Sequence, residues 1–327
     1  MRRIKTIALI LVSVLLAAAF SGCASRDSTV VMKLGGIDVR YDVFRFAVLT
    51  ERAALEAKYG EDAFSAETGV SNEMKEALRS GTLDYLKSIY AVLSLAADRG
   101  IGPDDPAIVE AANSMRASDV ATAGGESEFL ASIREAGMNE YVYDFIAKAS
   151  ALGDELYYAM LNSGELVSDE KSVRSFLESD GCVRVRQVLV TTENRTDERA
   201  LEIAEEVHSL AEGGADFDEL ISRYGEDMNM FGSTQGYYLM RGVMYREFED
   251  ASFALGVGEV SEVVKSPAGY SVIKRLEKDA DYMKNHFDKL TEDYLDAQYS
   301  LAREERAETL EIGYSSVFEK IDILTIN

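Results

Sequence analysis

The chain has 327 residues, 47% apolar and 28% charged, which is the composition of a globular protein able to bury a core in about two domains. Its 58 acidic against 34 basic residues give a formal charge of −24. That balance argues against nucleic acid as a partner, because phosphate binding needs clustered Lys and Arg, and against electrostatic docking on anionic lipid; an acidic, well-solvated surface is its plain meaning.

The N-terminus opens on a basic stretch, "MRRIK", followed by the apolar "TIALILVSVLLAAAF" and then "FSGC". A run this short, ending in small residues, reads as a secretory signal rather than a spanning helix. The placement of Cys23 resembles a bacterial lipobox, with Phe20 where that motif usually has Leu. The resemblance implies a signal peptide over 1–22, lipid on Cys23, and a small polar tether over 23–29. Each buried acyl CH₂ would add ~0.8 kcal/mol of membrane affinity. The alternative is an ordinary signal peptide with a chance cysteine. Cys182, the second of two cysteines, opens an apolar strand and reads as a small structural hydrophobe rather than a nucleophile.

"VVMKLGGIDV" predicts a hairpin turning at Gly35-Gly36. Helices follow. Phe44, Ala47 and Val48 share a face from 41 to about 58. Met74, Leu78, Tyr85, Ile89, Val92 and Ala96 form a longer stripe that stops at Gly100. Asp105-Pro106 predicts an N-cap with Pro at the first helical position. Phe129 and Ile133, then Tyr141, Phe145 and Ala149, mark two more helices. Ser168-Asp169-Glu170 caps a short helix carrying Val173, Phe176 and Leu177.

The periodicity then changes. "VRVRQVLV" (183–190) alternates as a strand; 197–212 is an amphipathic helix stopped by Gly213-Gly214. "DFDELISRYG" is a second helix capped by Asp216, "GYYLM" a second strand, "REFEDASFAL" a third helix, and "GEVSEVVKSPAGYSVIKRLE" a closing hairpin. This order is that of an α+β domain. From Tyr282 a long helix carries Met283, Phe287, Leu290, Tyr294, Ala297 and Leu301 on one face. The expected partner for that face is the set of N-terminal helices. This gives a mostly helical domain over 30–178 plus 279–327, built from both chain ends, with the α+β unit over 181–277 inserted into it.

Residues 183–277 resemble a parvulin-type peptidyl-prolyl isomerase domain. "VRVRQVLV" is similar to that family's first strand and "ADFDELISRYGEDMN" to its second helix and following loop. "RGVMYREFEDASFALGVGEVSEVVKSPAGYSVIK" is similar to its signature. The flanking helices and the lipobox resemble PrsA/SurA-type foldases. The resemblance implies an antiparallel four-stranded sheet with three to four helices and non-covalent chemistry without a cofactor. It implies an apolar cup for the proline ring at Met244 and Phe248, with Leu239 and Tyr237 lining the groove and Asp227 beside the rotating bond. The family places two histidines on its central strands; here those positions hold Gln187 and Ser271, which can hydrogen-bond to each other. Neither His208 nor His286 can take their place by a local shift. No His/Cys/Asp spacing suggests a metal site.

Two functions remain in view. One is a lipid-anchored extracytoplasmic foldase that isomerises X–Pro bonds in exported polypeptides. The other is a holdase whose parvulin unit only binds peptide. The foldase resemblance leaves a homodimer through the helical domain open.

Overall fold

The computed structural model describes residues 27–64 and 70–326. The expected signal peptide, Cys23 and the start of the tether lie outside the described residues. Contact density divides the chain into two compact units. The first runs to Ala159 and resumes over Arg303–Asn327; the second is Met160–Ala302. The chain is therefore a sheet-containing domain inserted into a mostly helical one made from both chain ends.

In the first unit, β1 (Val30–Leu34) and β2 (Ile37–Arg40) form the expected hairpin, and β7 (Ile312–Tyr314) joins the other edge of β1 in the order β2-β1-β7. Residues almost three hundred apart in the chain thus share one sheet. Helices α1 (Tyr41–Tyr59), α2 (Asn72–Ala97), α3 (Pro106–Ala123), α4 (Glu126–Glu135) and α5 (Glu140–Ser163) follow, the last running on past the unit's boundary. Val31, Leu34, Phe44, Val48, Leu78, Leu86 and Tyr90 are buried in one core together with Leu310 and Ile326 from the chain's far end. The Arg52 guanidinium fastens that end by donating to the carbonyls of Ile323, Leu324 and Ile326. Asp105 stands at the N-cap of α3 but does not cap it: its Oδ2 turns back to accept the Gly102 N–H at 2.8 Å, while Pro106, with no N–H to satisfy, opens the helix.

In the second unit, α6 (Glu170–Glu178) precedes β3 (Cys182–Val190). Its cap is Asp169, which accepts the Ser172 N–H at 3.0 Å. Then come α7 (Asp197–Glu212), α8 (Phe217–Tyr224), β4 (Tyr237–Met240), α9 (Arg246–Ala254), and the β5 (Val264–Ser266) and β6 (Gly269–Leu276) hairpin. The sheet order is β4-β3-β6-β5, with every neighbouring pair antiparallel. Gly269 enters β6 at φ +128°, and a Cβ there would lie 2.4 Å from the Val190 carbonyl oxygen, so only glycine lets β6 close against β3.

Strand alternation gives this sheet two faces. Val188 and Val272 pack with Val207, Phe217 and Ile221, while Val190 and Tyr270 pack with Ala200 and Ala204, so α7 and α8 cover one face. Val183, Val185, Leu239 and Ile273 pack with Phe248 from α9 on the other.

The helix expected from Tyr282 differs in two respects. It is broken at His286 into α10 (Ala280–Asn285) and α11 (Phe287–Thr309). As far as Ala297 its apolar face is covered from within the second unit: Met283, Phe287, Leu290, Tyr294 and Ala297 pack with Val173, Phe176 and Leu177 of α6, with Cys182 of β3, and with Tyr238 and Met240 of β4; only its last turns, through Ala307 and Arg306, meet the expected N-terminal helices. Phe176 and Tyr294 stack with ring centroids 4.1 Å apart. The sheet's outer strand and α6 have apolar surface of their own to bury, and the adjacent chain segment covers it at little loop cost. The unit accordingly spans Met160–Ala302 rather than the expected 181–277. No described helix is long and apolar enough to cross a membrane.

Candidate functional site

The face of the sheet beneath α9 carries the residues that the sequence singles out. Gln187 lies opposite Ile273, and Ser271 lies two residues from Ile273 on β6, so Gln187 and Ser271 are diagonal neighbours on that face. The contact expected between them is present: the Ser271 hydroxyl donates to Gln187 Oε1 at 2.8 Å, and both residues are buried. The other end of the amide is also engaged, since Gln187 Nε2 donates to Asp227 Oδ2 at 2.8 Å. The Tyr237 hydroxyl donates to the same oxygen at 2.7 Å. Asp227 Oδ1 accepts the Asn229 N–H at 3.0 Å. The result is a continuous chain, Ser271 to Gln187 to Asp227 to Tyr237, drawn from two strands, the loop after α8 and the start of β4. Burial, and next the Asp227 carboxylate, push the Tyr237 phenol well above its ordinary pKa, so it stays a donor at physiological pH.

Asp227 is held in this chain by its neighbour. The Glu226 N–H donates to the Leu189 carbonyl at 2.9 Å. Its carboxylate accepts the Thr191 N–H at 2.6 Å and the Thr191 hydroxyl at 2.8 Å, and pairs with Arg195. Arg195, opposed by partial burial and helped by Thr191, holds the Glu226 carboxyl below the ordinary carboxylate range. Glu226 thus ties the loop to β3, and Asp227 turns onto the sheet face. Arg184 secures the far end of the same loop, donating to the carbonyls of Thr234 and Gln235. The Glu226 and Arg184 roles were not visible in the sequence, where only Asp227 of this loop was singled out.

The apolar part of the face is the packed cluster in which the sequence places the cup for a proline ring. Phe248 and Leu239 are buried, at 4% and 2% exposure, and Met244 is half-buried and packs against them with Phe253. Tyr237 joins cup and network, its ring in the apolar cluster and its hydroxyl on Asp227. Phe248 and Leu239 are therefore interior to the cluster, and Met244 is its more exposed member. The loop bearing Met244 is gripped by Glu249, which accepts the Met244 N–H at 2.8 Å. Sequence reasoning missed this residue; its only signal is an acid in the first turns of a helix that lacks a capping side chain at Tyr245.

The two histidines lie elsewhere. His208 Nδ1 is 2.9 Å from the Ser261 carbonyl, and exposed His286 stacks on Tyr282 with centroids 4.0 Å apart. Cys182 is buried beneath α11, and burial raises its thiol pKa to about 11, as a packing residue requires. Among the described residues no group of three or more His, Cys, Asp and Glu gathers to hold a metal ion. The face offers an apolar floor, a half-buried rim, and one carboxylate with three donors, an arrangement able to grip a small apolar ring beside a polar backbone.

Residues 171–279 match the PPIC-type PPIASE domain. That stretch lies wholly within the second unit. The chain is similar to foldase protein PrsA 2 of Bacillus cereus, 34% identical over 113 residues, covering 34% of this chain and 36% of that protein. It is similar to foldase protein PrsA of Staphylococcus aureus strain Newman, 27% identical over 163 residues and 49% of each chain. It thus spans between a third and a half of the length of these curated relatives. Among solved structures, the peptidylprolyl isomerase PrsA of Bacillus anthracis covers 69% of this chain and 94% of its own, at 19% identity and a TM-score of 0.35. The match at 171–279 begins within α6 and ends after β6.

Proposed function

We propose that this protein is an extracytoplasmic foldase whose parvulin domain binds X–Pro segments of exported polypeptides and speeds their cis–trans isomerisation. The observation that carries this reading is the joining of cup and polar chain at Tyr237, which sets an apolar seat for a proline ring next to fixed hydrogen-bonding groups. Rotation about X–Pro faces a barrier of about 18–20 kcal/mol because the amide must lose its resonance. A site lowers that barrier by holding the twisted amide more tightly than either planar form. Twisting makes the amide nitrogen pyramidal and a better acceptor, while the dry cup immobilises the ring. No proton has to be exchanged with the substrate, so the replacement of two imidazoles by Gln187 and Ser271 weakens the site rather than abolishing it. Asp227, fixed by Gln187 and Tyr237, supplies the charge beside the rotating bond.

Lipid on Cys23 would hold the protein at the outer face of the cell membrane, with the helical unit contributing to the handling of unfolded chains. A second reading is favoured by the same network: with an amide and a hydroxyl at its centre, the domain serves as a peptide-binding module of a holdase. A protease-coupled proline-peptide assay on the full chain separates the two. Acceleration above buffer at micromolar protein supports the isomerase. Absence of acceleration, together with suppression of client aggregation, overturns catalysis in favour of the holdase.

A further inference from the structure

The loop between β4 and α9 carries Met244, the rim of the cup, and lies outside any helix or strand. Its successive backbone N–H groups converge on one side chain. Glu249 Oε2 accepts the Gly242 N–H at 3.1 Å, and Oε1 accepts those of Val243 and Met244, each at 2.8 Å. Glu249 is 5% exposed and directly follows Phe248 in the chain. The loop is also confined from outside: Gly242 has φ +88°, and a Cβ there would meet the Leu301 side chain at 2.9 Å. One turn of α9 therefore holds both the floor of the cup and the clamp on its rim. Charge-assisted bonds of this kind are about twice as strong as neutral ones, and their loss would leave three part-buried donors unmatched. Both carboxylate oxygens are occupied by backbone, so Glu249 does not face a client.

We infer that Glu249 is a positioning residue for the proline cup, setting the separation of Met244 and Phe248 through the backbone of 242–244. The inference rests on the proposed function for what the cup binds, and on the hydrogen bonds alone for how the rim is held. Glu249→Gln keeps an oxygen for Val243 and Met244 but turns an NH₂ towards the Gly242 N–H. Glu249→Ala removes the clamp entirely.

The full chain and both variants would be compared by amide hydrogen exchange resolved to residues 242–254 and by affinity for a dansyl-labelled Ala-Ala-Pro-Phe peptide. Exchange at Val243 and Met244 should quicken in the order wild type, Gln, Ala, reaching roughly tenfold or more in the Ala variant, the scale of a lost charge-assisted bond. The peptide Kd should rise in the same order, while exchange across 251–254 of α9 stays unchanged and reports an intact fold. Unchanged exchange at Val243 and Met244 in the Ala variant overturns the clamp. Quickened exchange with an unchanged Kd overturns its role in the cup. Wild-type protein that binds no proline peptide overturns the proposed function, and the exchange data then still decide the clamp.

Discussion

Ser271 and Gln187 meet diagonally across β6 and β3, hydroxyl to amide oxygen at 2.8 Å, and the same amide passes the contact on to Asp227 at 2.8 Å. Glutamine is the one side chain here that can accept at one end and donate at the other. It therefore bridges a buried hydroxyl to a carboxylate with no titrating group between them.

Under the proposed isomerase function, placing imidazoles at both positions should raise the rate. In the Gln187→His/Ser271→His double variant, the first imidazole falls beside Asp227 and the second beside the first, on a backbone whose register already makes them neighbours. The expected gain in kcat/KM is about tenfold or more, equal to 1.4 kcal/mol of transition-state stabilisation. The protease-coupled assay measures it directly. No gain would mean that the cup, not the central pair, limits the reaction.

The Gln187–Ser271 contact should also be visible in stability. Ser271→Ala leaves the buried Gln187 Oε1 without its donor and should cost about 1–2 kcal/mol. Gln187→Ala also strips a donor from Asp227 and should cost more. Because the two share one hydrogen bond, a double-mutant cycle from urea denaturation should show coupling of about 0.5–2 kcal/mol. Additive costs would contradict a shared bond.

The cup residues should separate by burial. Leu239 is buried in the cluster, and Leu239→Ala should destabilise the protein by about 2–5 kcal/mol, the range of buried leucine truncations. Met244 is half-buried at the rim, so Met244→Ala should cost much less stability while weakening binding of a proline peptide. Thermal denaturation and peptide titration on the same two variants give the contrast. Equal effects on stability would place Met244 in the core instead.

Much of this was legible in the residues. Alternation over 183–190 and around the Pro267 turn marked the β3 and β5–β6 strands, because a half-buried strand writes its two faces into the sequence with period two. Gly213-Gly214 and Asp216 marked the boundary of α7 and α8 for equally local reasons. What covers α11 was not legible. Helical periodicity says that Phe287, Leu290 and Tyr294 need a partner but carries no address, and the chain resolved the question by proximity to α6 and β4. Glu226 and Glu249 were illegible for another reason. An acid that binds backbone N–H groups of a folded loop looks the same in sequence as one facing water.

Cys182 should behave as a packing residue in solution. It is buried against Leu290 and Ala297, and its thiol is pushed up to about 11. Native protein treated with iodoacetamide at pH 8 should therefore show no carbamidomethyl on the Cys182 peptide by mass spectrometry, whereas protein unfolded in urea should label fully. Rapid labelling of the native state would contradict its burial.

Glu226 should make the site sensitive to acid. Arg195 depresses its folded pKa below the ordinary value of 4.5. A depressed acid binds fewer protons folded than unfolded, so its stabilising contribution is present in full above about 4.5 and is lost as pH falls through the lower folded value. Protonation would break the Arg195 pairing and weaken the tie between the loop and Thr191, freeing the segment that presents Asp227. Exchange at the Thr191 amide should therefore stay slow from neutral pH down to about 4.5 and, once corrected for intrinsic rates, quicken below it. Glu226→Gln should show the faster exchange at all pH values and lose that dependence. A wild-type profile parallel to that of the Gln variant would mean that another group fastens the loop.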